Sequence, residues 1–269
     1  MTQALFCGMR FVVLPAFAAA FALSACDKPP IEWTDPVSIT QPSAPSRLTI
    51  TGGEPRFVVD SAPTELLPTS VGRCDQVITT SGFRRSAAAW WSVRPDSSAV
   101  LYLSASADSG RTWGTPTAVD TSDVSSAGCH RPAPSLATVG DDVYVAYSMD
   151  ASEGTGVFFA HTMSGMVHSP VPVIYGERLV ATAIAADARS VVVAYEEPNG
   201  THPQIDLAIS ATQGHLFETH TTASRSVDNA TSPVIALADS TLAVSWLTRA
   251  VADSAASRVV RVGRITSWK

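Results

Sequence analysis

The sequence has few charged and few aromatic residues, and no long segment shows the periodicity of an amphipathic helix. Charged side chains make up 16% of the 269 residues and aromatic side chains 7%. Lysine and arginine total 18 against 24 aspartate and glutamate, so the formal net charge is −6. Binding to nucleic acid depends on clustered basic residues that neutralise phosphates. We therefore predict that nucleic acid is not a partner.

The N-terminal 25 residues have the pattern of an export signal. Arg10 precedes an apolar run over residues 11–22, which is too short for a stable membrane-spanning helix. The following "LSAC" resembles the lipobox of bacterial lipoproteins, in which the signal is removed before the cysteine and that cysteine receives lipid. The resemblance implies that Cys26 anchors the protein in the cell envelope, facing the periplasm or the exterior. Asp27 is similar to an inner-membrane retention signal, and an ordinary secretory signal is the alternative.

A repeat of about fifty residues fills most of the remaining chain. Residues 26–46 are rich in proline and serine and predict a tether. Beyond them, several segments show a strand, a tight turn that ends in glycine, and a second strand. Three such hairpins are 99–119, 156–174 and 204–223. The segments between them also predict paired strands, which gives four short antiparallel strands per repeat.

These repeats predict an all-β fold, a β-propeller of about four four-stranded blades. A fifth blade is the alternative, if a degenerate copy lies between residues 46 and 70. The last repeat lacks a clear fourth strand, and residues 47–62 contain strands that no repeat uses. We expect this N-terminal segment to close the ring by completing the last blade, which removes exposed sheet edges. The predicted division is a signal at 1–25, a lipidated tether at 26–46 and a propeller at 47–269.

The octamer "SADSGRTW" resembles the Asp box of the sialidase-like β-propeller superfamily. Its pattern, Ser-x-Asp-x-Gly-x-Thr-Trp, is matched by Ser106, Asp108, Gly110, Thr112 and Trp113. The resemblance implies a hairpin between the third and fourth strands of a blade, on the face opposite the substrate site. Gly110 suits a positive φ and Asp108 suits backbone hydrogen bonds across the turn. We therefore interpret the motif as scaffold, and two later copies are degenerate.

The loops that precede the first strand of each repeat, here called the leading loops, form the opposite face. Three of the four carry an arginine, at Arg73, Arg131 and Arg178. The guanidinium group is suited to binding carboxylates. Because sialidases hold the substrate carboxylate with three arginines, the resemblance implies that these three bind a ligand, with His130 as a further candidate.

The same resemblance supplies candidates for catalysis. Sialidases use a tyrosine paired with a glutamate as nucleophile and an aspartate as acid or base. Tyr175 and Glu177 are candidates for the pair, and Asp75 is a candidate for the acid. The match is incomplete, because in the family the tyrosine and glutamate come from different blades.

Cys74 and Cys129 lie in the leading loops of neighbouring repeats. In an exported protein they predict a disulfide between the first two blades. Two unrelated buried thiols are one alternative. A metal site with His130 is another, but its spacing is too loose to be predicted. We predict no metal and no cofactor.

Two functions of different classes fit these patterns. The first is a lipid-anchored, non-catalytic interaction module that binds an envelope protein or a glycan. The second is an exo-glycosidase of sialidase type that uses the arginine cluster and the tyrosine–glutamate pair. The short ring, the degenerate Asp boxes and the incomplete catalytic set favour the first.

Overall fold

The computed structural model describes residues 29–40, 46–59, 72–81, 86–248 and 257–266, without the side chains of residues 75–81. Within these ranges the chain forms twenty β-strands and no helix, so no helix in the described part is suited to crossing a membrane. The predicted signal at 1–25 and Cys26 lie outside the described residues. The all-β prediction is confirmed.

Four strands precede the first large sheet. They are β1 (Ile31–Trp33), β2 (Val37–Ser38), β3 (Ser46–Thr51) and β4 (Glu54–Val59). Blade 1 contains β5 (Arg73–Ser81), β6 (Ser86–Val93), β7 (Ala99–Ser106) and β8 (Thr117–Asp120). Blade 2 contains β9 (Ser135–Val139), β10 (Asp142–Ala151), β11 (Gly154–Met163), β12 (Met166–Val167) and β13 (Val171–Tyr175).

The second half of the chain forms two further sheets. Blade 3 contains β14 (Thr182–Ala186), β15 (Val191–Glu196), β16 (Ile205–Ser210) and β17 (Thr219–Thr222). Blade 4 contains β18 (Thr231–Ala238), β19 (Thr241–Thr248) and β20 (Ser257–Ile265), and both β1 and β2 pair with β20. All pairings between neighbouring strands are antiparallel, as expected for the blades of a propeller.

The middle strands of the blades are apolar on both faces, and the described apolar clusters join neighbouring sheets. Strand β10 illustrates this arrangement. Tyr147 faces blade 1 and contacts Trp91 edge-on, with 5.9 Å between ring centroids, whereas Tyr144 faces blade 3 in a separate cluster with Phe159. A third cluster, centred on Trp246, joins blades 3 and 4. Sheet stacking therefore replaces the usual alternation of apolar and polar residues with continuous apolar runs.

The N-terminal segment does complete the last blade, but the strand responsible lies earlier than predicted. Strand β1 forms the outer strand of blade 4, with Ile31 opposite Ile265 and Trp33 opposite Gly263. A Cβ atom at position 263 would lie 2.4 Å from Cγ2 of Ile31, so glycine allows this close pairing. Strands within residues 31–38 therefore pair with blade 4, inside the range 26–46 that the sequence predicts as a tether. Strand β1 is called the closing strand below.

Strands β3 and β4, predicted to close the ring, form a separate two-stranded hairpin. The hairpin packs on the face of blade 4 that is turned away from blade 3. Its buried Leu48 contacts a cluster formed by Ala236, Ala243 and Val260. The described residues thus contain four sheets of blade size and one small hairpin beside the fourth.

Replacing the buried side chain of the closing strand should destabilise the whole domain. Ile31 is 2% exposed in the core between blades 3 and 4. We expect Ile31→Ala to lower the free energy of unfolding in urea by about 2–5 kcal/mol. The neighbouring Glu32 is exposed, and Glu32→Ala should change it by less than about 0.5 kcal/mol. Equal effects of the two substitutions would contradict a structural role for this strand.

Candidate functional site

The Asp box forms a closed set of hydrogen bonds in the turn after β7. Ser106 Oγ accepts a bond from the Gly110 amide at 2.8 Å and donates to Asp108 Oδ1 at 2.7 Å. Asp108 also accepts bonds from the amide and the hydroxyl of Thr112, at 2.8 and 2.7 Å. These bonds lower the pKa of Asp108 to about 2. The carboxylate is fully used in holding the turn, which fits a scaffold role.

One degenerate copy keeps the same turn with an uncharged residue. In blade 3, Ser210 Oγ accepts a bond from the Gly214 amide at 2.9 Å, and Thr212 replaces the aspartate. Thr212 Oγ1 accepts a hydrogen bond from the Leu216 amide at 3.0 Å, just as Asp108 accepts one from the Thr112 amide. The two glycines have φ of +86° and +92°, a region that favours glycine. Serine and glycine persist because the turn geometry requires them.

The predicted disulfide between Cys74 and Cys129 is present and joins blades 1 and 2. The pairing closes a loop with a sequence separation of 55 residues. Both thiols are consumed in the bond. Within the described ranges, no three histidine, cysteine or acidic side chains are grouped in a way that would hold a metal ion.

Arg131, one of the three predicted ligand-binding arginines, lies inside the protein. Its Nη1 atom is 2.9 Å from Asp123 Oδ1, and neither side chain is exposed to solvent. The guanidinium also donates to the Gly128 carbonyl at 2.6 Å and lies 5.1 Å from the ring centroid of Trp91. Arg131 therefore stabilises its own leading loop against blade 1, and its side chain has no exposed surface.

Arg178 and the predicted catalytic pair lie together in the exposed loop after β13. Arg178 Nη2 donates to the carbonyl of Glu197 at 2.5 Å, so the arginine ties this loop to blade 3. Glu177 is exposed, and Tyr175 is 46% exposed with its ring edge-on to Phe158. No hydrogen bond between Tyr175 and Glu177 is present in the described structure, whereas a tyrosine nucleophile is activated by a base within hydrogen-bonding reach.

The remaining candidates are dispersed. Arg73 is partly buried at the start of β5, and His130 is exposed beside the disulfide. The side chain of Asp75 lies outside the described residues. None of the other predicted site residues is among the described residues that line the cavity on the ring axis. Arg131 and Arg178 are thus bound to different partners, Asp123 and the Glu197 carbonyl.

A cavity of about 780 Å³ occupies the ring axis, and we call it the axial cavity. Its walls are the innermost strands β9, β14 and β18, together with β3 of the hairpin. The described lining is mostly small or aliphatic, with hydroxyl groups such as those of Ser135 and Thr182, which lie 3.2 Å apart. No aspartate, glutamate, histidine or aromatic residue is among these lining residues. The charged ones are Arg47 and Arg258.

Sequence reasoning missed Arg258, although a signal is present. In the strand "SRVVRVGRI", residues 258, 260 and 262 share one face because side chains alternate along a strand. Val260 and Val262 contact the apolar cluster against the hairpin, so an arginine on this face is unexpected. An arginine placed on the apolar face of a strand points to a specific role for its charge.

The fold is similar to several solved structures at low sequence identity. A Dyadobacter fermentans protein of unknown function is 11% identical, with a TM-score of 0.47 over 88% of this chain and 100% of that one. A Bacillus halodurans xylan β-1,4-xylosidase is 13% identical, with a TM-score of 0.46 over 81% and 52%. A Trypanosoma rangeli sialidase is 12% identical, with a TM-score of 0.49 over 90% and 42%.

The two glycosidases are β-propeller proteins, and this chain spans about half or less of their length. At these identities the similarity concerns the fold alone. No family model and no curated protein matches the sequence. The strand order and the antiparallel sheets of the described residues are those of an all-β propeller.

The disulfide should contribute measurably to stability. Closing a loop of this length is worth about 4 kcal/mol in the chain-entropy model. We expect the double substitution Cys74→Ser with Cys129→Ser to lower the free energy of unfolding by about that amount. Dithiothreitol should destabilise the wild type and leave the double variant unchanged. A wild type insensitive to reduction would contradict a stabilising role.

The Asp box makes a pH-dependent contribution to stability. The pKa of Asp108 falls from an ordinary 3.8 to about 2 in the folded state, so its stabilisation is present above pH 3.8 and is lost as pH falls through 2. We expect Asp108→Asn to lower Tm at pH 7 and the loss to shrink between pH 4 and pH 2. Thr212→Val, at the equivalent uncharged position, should lower Tm by an amount independent of pH over this range. A pH-independent effect of Asp108→Asn would contradict the role of its charge.

Proposed function

We propose that this chain is a non-catalytic binding module of the cell envelope. One observation carries the proposal: the described lining of the axial cavity contains no carboxylic side chain. Most glycosidases place two aspartate or glutamate residues on either side of the scissile bond, one as acid and the other as nucleophile or base. A cavity whose described charged residues are arginines is suited to binding an anion, and its described lining does not contain this pair.

The leading-loop face adds a second reason. A carboxylate-binding triad requires three guanidinium groups that converge on one point. Arg131 is held in a buried ion pair, and Arg178 is bonded to the Glu197 carbonyl of its neighbouring blade. Their contacts stabilise loops, and a rigid loop face is what a binding module presents to a protein or glycan partner.

Attachment to the envelope through lipid at Cys26 is part of the same proposal. It rests on the export-signal pattern and the lipobox resemblance of the sequence. Strand β1 begins at Ile31, so five residues after Cys26 the chain is already part of blade 4. A lipid at Cys26 would hold the propeller close to the membrane surface, with little tether between them.

The proposal predicts that the protein does not hydrolyse glycosides. We expect no turnover above the protein-free rate with a panel of fluorogenic sialosides, xylosides, arabinosides and fructosides. Turnover that is retained by Glu218→Gln and abolished by Glu177→Gln would contradict the proposal and establish the glycosidase alternative. Both glutamates are exposed, so neither amide substitution should disturb folding. Arg131→Ala is unsuitable here, because it would leave Asp123 buried without its partner.

A further inference from the structure

Arg258 sits in the wall of the axial cavity between blade 4 and the hairpin. Its Nη1 atom donates to the Ser232 carbonyl at 3.2 Å and lies 3.4 Å from Ser245 Oγ. The guanidinium carbon lies 5.9 Å from the ring centroid of Phe57. Both polar contacts are made by the Nη1 atom, so only one side of the guanidinium is hydrogen-bonded. Its Nη2 atom makes no hydrogen bond to any described residue.

Strand register places Arg258 near the leading-loop end of the cavity. Arg258 pairs with Leu247 of β19, and Leu247 pairs with Thr231, the first residue of β18. The leading loop of blade 4 ends at that residue. A ligand entering the cavity from the leading-loop face would therefore meet Arg258 near the mouth.

No carboxylate among the described residues balances the charge of Arg258. No acidic side chain in the described part of the chain forms an ion pair with it, and its buried Nε atom has no hydrogen-bond partner there. Burial lowers the pKa of the guanidinium, and no neighbouring carboxylate opposes this effect. Glu196 is linked to Arg258 only through Ser232, whose amide donates to Glu196 Oε1 at 2.8 Å. A partly buried cation without a partner is costly, and a bound anion would relieve that cost.

The remaining lining residues indicate the chemical character of the uncharged part of such an anion. Leu136, Ile184 and Val234 are aliphatic residues of the described lining, and alanines, serines and threonines make up much of the rest. The described lining offers no aromatic ring on which a sugar would stack and no acidic group that would accept its hydroxyls. The volume of about 780 Å³ falls within the range of small-molecule sites.

We propose that the axial cavity binds a small aliphatic carboxylate, with its carboxylate paired to Arg258 and its hydrocarbon body against the inner strands. This inference rests on the proposed function, because it assumes that the cavity binds a ligand without catalysing a reaction. Arg47 lines the same cavity from β3 and adds a second positive charge to its field. The bound species is an anion at neutral pH, because aliphatic carboxylic acids ionise well below pH 7.

The test is isothermal titration of the full chain with hexanoate, hexanamide and glucuronate. We expect hexanoate to bind at one site and the neutral hexanamide to bind at least about ten-fold more weakly, since a charge-assisted hydrogen bond is lost. Arg258→Met, which keeps the length of the side chain without its charge, should weaken hexanoate binding by at least about ten-fold. Arg111→Met serves as the matched control, because Arg111 is an exposed residue of the Asp box turn.

Each outcome separates this inference from the proposed function. Equal binding of hexanoate and hexanamide, stronger binding of glucuronate, or no effect of Arg258→Met in a variant with unchanged Tm would overturn the inference and leave a non-catalytic module standing. Absence of hexanoate binding to the wild type would overturn it as well. Turnover in the glycoside panel would instead overturn the proposed function itself.

Discussion

The stacking of one sheet on the next is the constraint on which the rest of this structure depends. Middle strands such as β6, β10 and β15 are buried on both faces, so every blade needs a neighbour on each side. A linear stack would leave apolar faces exposed at its ends, and a ring avoids this. A disulfide, a buried ion pair, the closing strand and the hairpin each help to cover or join blade faces and edges.

Different devices secure the first and the last blades. Between blades 1 and 2, the disulfide and the buried ion pair of Arg131 with Asp123 fix a leading loop. At blade 4, the closing strand covers the edge of β20, and Arg261 reinforces it by donating to the Thr34 carbonyl at 2.8 Å and stacking over Trp33. The hairpin then covers the remaining apolar face of blade 4. These devices leave the interior of the ring open as a cavity.

The buried polar groups of the protein divide into two kinds. Most are matched within the fold, as when the hydroxyl of Tyr147 donates to Asp120 at 2.5 Å between blades 1 and 2. Arg131 with Asp123 is matched in the same way. Arg258 differs, because its charge faces the cavity and has no carboxylate partner in the described residues. Charges that are removed from water are normally paired, so a cationic group at the cavity wall without a described carboxylate partner points to a ligand from outside the chain.

The fold was predictable from sequence because its signal is local and repeated. Each hairpin of the repeat has alternating or continuous apolar residues and a glycine turn, and the Asp box supplies one complete copy of that turn. The closing strand was not predictable from sequence, because its three residues lie in a proline-rich stretch and show no periodicity. Its partner β20 lies at the other end of the chain, so no local pattern indicates the pairing. The candidate site was predicted least well. Nothing near Arg131 in the sequence identifies Asp123 as its partner, and convergence of side chains on a cavity is a property of the whole ring.

A crystal structure of the protein grown with 6-bromohexanoate would test the central claim most directly, since anomalous scattering from bromine locates the ligand without ambiguity. We expect one bromine position inside the axial cavity, between the inner strands, with the carboxylate within hydrogen-bonding distance of Arg258. Bromine confined to the outer surface, or a carboxylate in the cavity turned away from Arg258, would contradict the assignment of this arginine as the anion site.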